Sequence, residues 1–387
     1  MKLAFIVTRS DPIGGSQIHI RDLSQALLTR GNDVTVFTGS EGTFTGQLTE
    51  RGVPWAVIPH MSRRISGVDD LRAFREVRRA LRAMQPDLVS AHCAKAGCLA
   101  RLAASSLGLP VIYTPHYWSF TEGVPRKSAL LYRWGERLLS PFGARIITVC
   151  EFDRQLAIRQ RVAPRARLVT VHNGMPDVPL EFRAKPERSP VRLTMVARFE
   201  PQKDHASLLH ALAQLNQHPW QLDLIGEGAL LGPTQHLVRD LGIADRVRFL
   251  GQRSDVAARL AESQAYVLSS NWEGFPRSIL EAMRAGLPVV SSDVAGVSES
   301  VENGVTGFVV PRGDREAWRQ RLEQLLTDPA LRARLGASGR VRYEQRFTFE
   351  RTLEQTLAVY RQVLAERGRL ADLVLASEHL PPQPTAR

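Results

Sequence analysis

Two glutamates with seven residues between them, Glu273 and Glu281, stand in the stretch Asn271-Trp-Glu-Gly-Phe-Pro-Arg-Ser-Ile-Leu-Glu-Ala-Met-Arg-Ala-Gly-Leu-Pro288. The apolar run Ala265–Ser269 ahead of them reads as a buried parallel strand. Gly274 permits a turn that other residues resist, and Pro276 suits the first turn of a helix. That helix would run to Ala285 and stop at Gly286-Leu287-Pro288. Ligands of open α/β sheets bind outside the carboxyl ends of the strands, where Glu273 would lie. Glu281 follows on the helix behind, and a helix N-terminus accepts an anion. Carboxylates are the usual partners of ribose and sugar hydroxyls, so the arrangement suits a sugar nucleotide. Two solvated glutamates on a surface helix are the plain alternative.

Other groups recur at strand ends. Arg198 and Lys203 follow the strand Val191–Ala197, and two cations aimed into a cleft there can neutralise a departing diphosphate. His116 closes the strand Val111–Thr114, and a histidine can hold a hydroxyl or exchange a proton near neutral pH. His92, after Asp87–Ala91, has the same kind of position. Between the first strand and first helix, Gly14-Gly15 allow close backbone approach beside free N–H groups that suit a phosphate. Alone, that loop reads more readily as a tight turn with Ser16 as N-cap. Gly226-Glu-Gly228-Ala-Leu-Leu231 opens like a dinucleotide fingerprint, but Leu231 stands where the third glycine belongs. The chain has no Asp-x-Asp pair, which gives no sequence case for a catalytic Mg²⁺ or Mn²⁺. It also has no Walker loop and no Gly-x-Ser-x-Gly elbow.

Glu273-Gly-Phe-Pro276, then Glu281-Ala-Met-Arg-Ala-Gly-Leu-Pro-Val-Val290, resembles the Glu, seven residues, Glu motif of the family 4 retaining glycosyltransferases. These are GT-B enzymes, α/β proteins whose two Rossmann-like, doubly wound parallel-sheet domains face a cleft. The resemblance extends over nearly the whole chain, with Gly14-Gly15…His19…Gly31 at the start and Ala197-Arg198…Lys203 in the second half. Asp204 departs from the small residue often found after that lysine.

The resemblance implies that Arg198 and Lys203 stabilise the leaving diphosphate and that Glu281 binds ribose. Glu273, with the backbone of Gly274, Phe275 and Pro276, would orient the donor sugar. Gly226 would belong to the nucleotide-binding turn, while Gly14, Gly15 and His116 would serve the phosphate and the reacting hydroxyls from the other domain. Asn173-Gly174 resembles the family's hinge turn. The donor would be a UDP-sugar, with GDP-mannose the alternative, and no metal cofactor is required. The stretches Lys95-Ala-Gly97 and Thr114–Phe120 are similar to bacterial polysaccharide-building members, whose acceptors are commonly glycans linked to polyprenyl diphosphate.

The elements that must position these groups alternate as strand and helix, which argues parallel doubly wound sheets. We expect a first domain over 1–175, a proline-rich linker over 176–190 and a donor domain over 191–348. A last helix over 349–375 would cross back to the first domain, and 376–387 would be disordered. At 387 residues, two domains are the prior. The three cysteines form no disulfide or zinc pattern, and no apolar run suits a signal peptide or membrane span, so a cytosolic protein is expected. The net charge of +12 asks for an anionic partner. No nucleic-acid motif accompanies it, and peripheral contact with anionic membrane is favoured. Leu130, Leu131, Trp134, Leu138 and Leu139 share one face of a basic helix within 125–139, as a membrane-surface helix would, although packing against its own sheet is commoner. Three other classes remain. A GT-B sugar-nucleotide epimerase would turn over without an acceptor. A nicotinamide-dependent oxidoreductase would want the glycine that Leu231 replaces, and a nucleic-acid binder would be steeply salt-dependent.

Overall fold

The computed structural model describes residues 1–368. In the first half the chain runs β1 (Lys2–Val7), α1 (Gly15–Thr29), β2 (Asp33–Thr38), α2 (Thr43–Glu50), β3 (Trp55–Val57), α3 (Gly67–Met84), β4 (Leu88–His92), α4 (Ala94–Ser105), β5 (Val111–Thr114), α5 (Arg126–Leu139), β6 (Arg145–Thr148), α6 (Glu151–Arg159) and β7 (Leu168–Thr170). These strands form one seven-stranded sheet in the order β3-β2-β1-β4-β5-β6-β7. The second half runs β8 (Val191–Val196), α7 (His205–Ala213), β9 (Trp220–Ile225), α8 (Leu231–Asp240), β10 (Val247–Phe249), α9 (Val256–Ala261), β11 (Ala265–Leu268), α10 (Arg277–Ala285), β12 (Val289–Ser292), α11 (Val297–Ser300), β13 (Gly307–Val310), α12 (Arg315–Thr327), α13 (Pro329–Arg346) and α14 (Phe349–Ala365). Its six-stranded sheet has the order β10-β9-β8-β11-β12-β13.

The central strands are almost continuously apolar and buried, as parallel strands covered on both faces must be. Strand order reverses between β1 and β4 and between β8 and β11, and each reversal opens a crevice at the carboxyl ends of those strands. The last helix crosses back to the first domain. Leu353, Leu357, Tyr360 and Val363 of α14 share a core with Leu3, Phe5, Ile20 and Leu23 of the first domain. Helix α14 ends at Ala365, and the expected continuation to 375 and the tail beyond it lie outside the described residues. The two crossings between halves touch: Met175 N–H donates to Phe347 O at 3.1 Å and Phe349 N–H to Met175 O at 2.9 Å.

Some local expectations are corrected. Helix α10 begins at Arg277, with Pro276 as its N-cap rather than inside its first turn. The N-cap of α1 is Gly14, not Ser16: the Gln17 side chain accepts the Gly14 N–H at 3.2 Å, and Ser16 donates to Gln17. Helices α2, α6 and α11 carry too little periodic signal to be read from sequence. Helix α2 has a glycine and three threonines in eight residues, all poor helix formers. Asp204 departs from the family pattern because it caps α7 from a left-handed conformation (φ 41°), accepting the Ser207 N–H at 3.3 Å.

Candidate active site in the interdomain cleft

In the second domain the loops after β8 and β11 are stitched together. Asn271 N–H donates to Gln202 O at 2.7 Å, and the Gln202 amide donates to Trp272 O at 2.8 Å. This brings the Lys203 ammonium onto the Glu273 carboxylate, which also accepts the Ser270 hydroxyl at 2.6 Å. Glu273 is only 6% exposed. Arg198 reaches Glu200 at 2.8 Å. Two cations are therefore held at the strand ends by two carboxylates that an entering dianion would compete with, and screening by water is weak around the buried Lys203–Glu273 pair.

Gly226 lies beside this loop at φ +145°, where a Cβ would overlap the Ala197 carbonyl oxygen, so only glycine fits. The Phe275 ring turns away from the cleft into the core, 4.9 Å from His172 and 5.3 Å from Phe347 between centroids. Only its backbone remains for a ligand. Glu281 is half-buried one turn along α10, and burial pushes its carboxyl up while Arg284 and Arg277 pull it back. Among the described residues no group of three or more His, Cys, Asp or Glu is gathered as metal ligands.

From the first domain come three histidines. His116 Nε2 lies 3.1 Å from His92 Nδ1, and the His19 and His116 ring centroids are 5.4 Å apart. Burial, followed by the nearby Arg277 charge, lowers His116 to about 3. Burial also holds His19 and His92 well below the ordinary value. All three are neutral at physiological pH, so His116 hydrogen-bonds rather than protonates. Its carbonyl packs directly on Gly274, where a Cβ would overlap it. The Glu273-Gly274 turn of one domain thus rests on the histidine of the other.

Sequence reasoning missed three groups here. Arg277, 8% exposed, donates to Gly174 O at 3.1 Å and to Asp22 on α1 at 3.3 Å, and its Cδ crowds the space a Gly15 Cβ would take. Its signal was an arginine on the buried side of α10, where an apolar residue belongs. Arg9 of the first domain feels the charges of Arg63 and Arg198, so cations from both domains approach across the cleft. Glu299 reaches over to the other domain, accepting the N–H groups of Glu151 at 2.8 Å and Phe152 at 2.7 Å and bonding His172 at 2.7 Å. It caps a helix on a different sheet, which no local pattern announces.

The Glu299 latch makes an expected pH effect. Burial alone would push this carboxyl up, but the hydrogen bonds from His172, Glu151 and Phe152 outweigh it and hold it below its usual value. A depressed carboxylate stabilises the fold above its ordinary pKa, and that stability is lost as pH falls through the lowered value. Glu299→Ala should cost about 2 kcal/mol at neutral pH. Glu299→Gln should flatten the acid limb of the melting temperature between about pH 5 and 3. Scanning calorimetry from about pH 7 down to 3 measures both, and an unchanged acid limb would count against the latch.

Models of two families match the chain. Residues 14–174 match the "Glycosyl transferase 4-like domain" and residues 180–342 match "Glycosyl transferases group 1". A Bacillus subtilis protein named as a glycosyltransferase, EpsD, is 32% identical over 308 residues, covering 75% of this chain and 80% of the relative. The Escherichia coli UDP-Gal:alpha-D-GlcNAc-diphosphoundecaprenol alpha-1,3-galactosyltransferase is 28% identical over 77% of this chain and 81% of its own. Among solved structures, Anabaena HepE in complex with UDP and glucose shares the fold, with a TM-score of 0.81 at 22% identity over 94% of this chain and 100% of that one. Two parallel-sheet domains meeting at strand ends, with paired models over both halves, make this chain a GT-B glycosyltransferase of family 4.

Proposed function

We propose that the protein transfers a hexose or N-acetylhexosamine from a UDP-sugar, with retention of configuration, to a lipid-diphosphate-linked glycan in cell-surface polysaccharide assembly. The observation that carries this is the Lys203–Glu273 pair beside Arg198, facing His116 across Gly274. In this reading the diphosphate of the donor draws Arg198 and Lys203 from their carboxylates. The cations supply the charge that a metal would otherwise provide, so turnover proceeds without one. Glu273 and the backbone of Gly274-Phe275 hold the sugar, Glu281 the ribose, and Gly14-Gly15 and His116 close on the phosphate and hydroxyls. Retention follows the family. UDP is supported by the donor named for the Escherichia coli relative and by the UDP bound in the Anabaena neighbour. The lipid diphosphate is supported by that relative's acceptor.

Calorimetric titration with UDP, GDP, ADP and NAD⁺ tests the donor. UDP should bind, and Glu281→Ala should weaken it about tenfold or more, by loss of charge-assisted hydrogen bonds. Binding of GDP instead would move the donor to GDP-mannose, and binding of NAD⁺ alone would overturn the reading. Turnover of UDP-sugar to an epimer without acceptor would favour the epimerase.

A membrane position is supported by α5, whose apolar side faces outward. Leu131 is 66% exposed, Trp134 52% and Leu138 70%, while the inner side presents Glu136, buried against Arg101 at 2.8 Å. Arg126 and Lys127 are exposed at the start of this helix, Arg133 and Arg137 bond Gln160 at the end of α6, and Arg72, Arg75, Arg79 and Arg82 form an exposed stripe on α3. No helix among the described residues is long and apolar enough to cross a membrane. An outward apolar side rimmed by cations fits an anionic bilayer, each cation contributing about 1 kcal/mol at the surface. The protein should float with phosphatidylglycerol vesicles and not with phosphatidylcholine. Leu131→Ser/Leu138→Ser and Arg126→Glu/Lys127→Glu should each abolish flotation while UDP affinity holds. Unchanged flotation of both would sink the membrane position alone.

A further inference from the structure

We propose that Tyr360, Ser90 and His92 form a hydrogen-bonded chain that fixes the proton of His116 on Nδ1, so that His116 meets its substrate as a hydrogen-bond donor. The Tyr360 phenol, 1% exposed on α14, lies 2.7 Å from Ser90 Oγ in β4. Ser90 Oγ is 3.0 Å from His92 Nε2, and His92 Nδ1 is 3.1 Å from His116 Nε2. Ser90 and His92 are themselves buried.

The direction of the chain follows from its buried end. Among the described residues Tyr360 has one acceptor, Ser90 Oγ, and donates to it. The Ser90 proton then has one partner left, His92 Nε2. A neutral imidazole carries a single N–H, so His92 holds its proton on Nδ1 and donates to His116 Nε2. His116, neutral in the same surroundings, keeps its own proton on Nδ1. The reverse order would leave a buried hydroxyl proton without an acceptor, which folded proteins avoid.

Tyr360, Ser90 and His92 are positioning residues: they act through His116, whose carbonyl packs on Gly274. The return of α14 to the first domain thereby sets the chemistry of the cleft as well as filling a core. That the oxygen receiving this proton belongs to a sugar rests on the proposed function. The tautomer does not.

The test uses the full chain labelled with ¹⁵N-histidine and long-range ¹H–¹⁵N spectra, with the His116 signals identified by their loss in His116→Gln. We expect a protonated Nδ1 and a bare Nε2 on His116, unchanged between about pH 6 and 8. Ser90→Ala frees His92 to hold its proton on Nε2, and His116 should then switch to a protonated Nε2. Tyr360→Phe, which removes one oxygen from the far end, should populate both forms. With UDP-glucose as probe and water as acceptor, Ser90→Ala should lower kcat about 30- to 100-fold, with KM within about threefold. A wild-type His116 protonated on Nε2, or tautomers unmoved in both variants, would overturn the chain. Failure of UDP to bind would instead strike the donor reading and leave the spectra decisive for the tautomer.

Discussion

Lys203→Met is expected to lower turnover on the order of 10³-fold, roughly 4 kcal/mol of transition-state stabilisation. It should also destabilise the fold. The Lys203 and Glu273 side chains are 13% and 8% exposed, and each is the other's counter-ion. Removing the lysine leaves a buried carboxylate with, among the described residues, the Ser270 hydroxyl as its remaining side-chain partner, a loss of about 3 kcal/mol. These two costs separate in the double variant. Lys203→Met/Glu273→Gln leaves no unpaired buried charge and should melt within a few degrees of wild type. It should stay as inactive as the single variant, because the cation proposed to meet the departing diphosphate is still missing. Melting curves beside initial rates decide the matter. A double variant that regains activity would mean that the lysine serves only to neutralise Glu273.

Gly274→Ala should be nearly as damaging, for a purely steric reason. The added methyl has nowhere to go: it meets the His116 carbonyl oxygen on one side and the Tyr117 Cβ, at 3.1 Å, on the other. Both belong to the opposite domain, so relief comes from parting the two domains. Closure that assembles a site from two halves is then blocked, and turnover should fall about 10²- to 10³-fold, since misplacing reacting groups by an ångström costs about that much. UDP affinity should change far less than turnover, by about threefold, since Arg198, Lys203 and Glu281 lie within the second domain and only Gly14-Gly15 would meet the phosphate from the first. Calorimetry together with small-angle scattering would show binding retained and a more open particle. Wild-type turnover in this variant would place the two domains apart during catalysis.

What could be read from sequence divides by the range of the interaction. Strands buried on both faces are written as contiguous apolar runs, so Val191–Ala197 and Ala265–Ser269 were legible to within a residue and Val111–Thr114 was placed to the residue. Motif spacing located the individual groups at the strand ends. It did not say that Lys203 and Glu273, 70 positions apart, would close on one another, because a mutual ion pair depends on how two loops are stitched. Arg277–Asp22 and Glu299 with α6 were invisible for the same reason: each partner lies on another sheet. Helix α5 was legible as a pattern and illegible as a direction. Its apolar stripe looks the same whether it meets a sheet or the solvent. What turns it outward is the buried Glu136, fixed by Arg101 and by the Tyr113 hydroxyl at 3.1 Å.

The twin crossing at Met175 and Phe347–Phe349 bears on how such a protein can be divided or recombined. A fragment ending near residue 175 lacks Leu353, Leu357, Tyr360 and Val363, and with them one wall of its own hydrophobic interior. A fragment beginning there carries a helix with no surface to cover. Exchange of donor specificity between relatives is therefore simplest when the segment between the two crossings, from Pro176 to Thr348, is replaced as one cassette. The flanking pieces then stay together as a single folded host, and the second domain behaves as an insertion within the first.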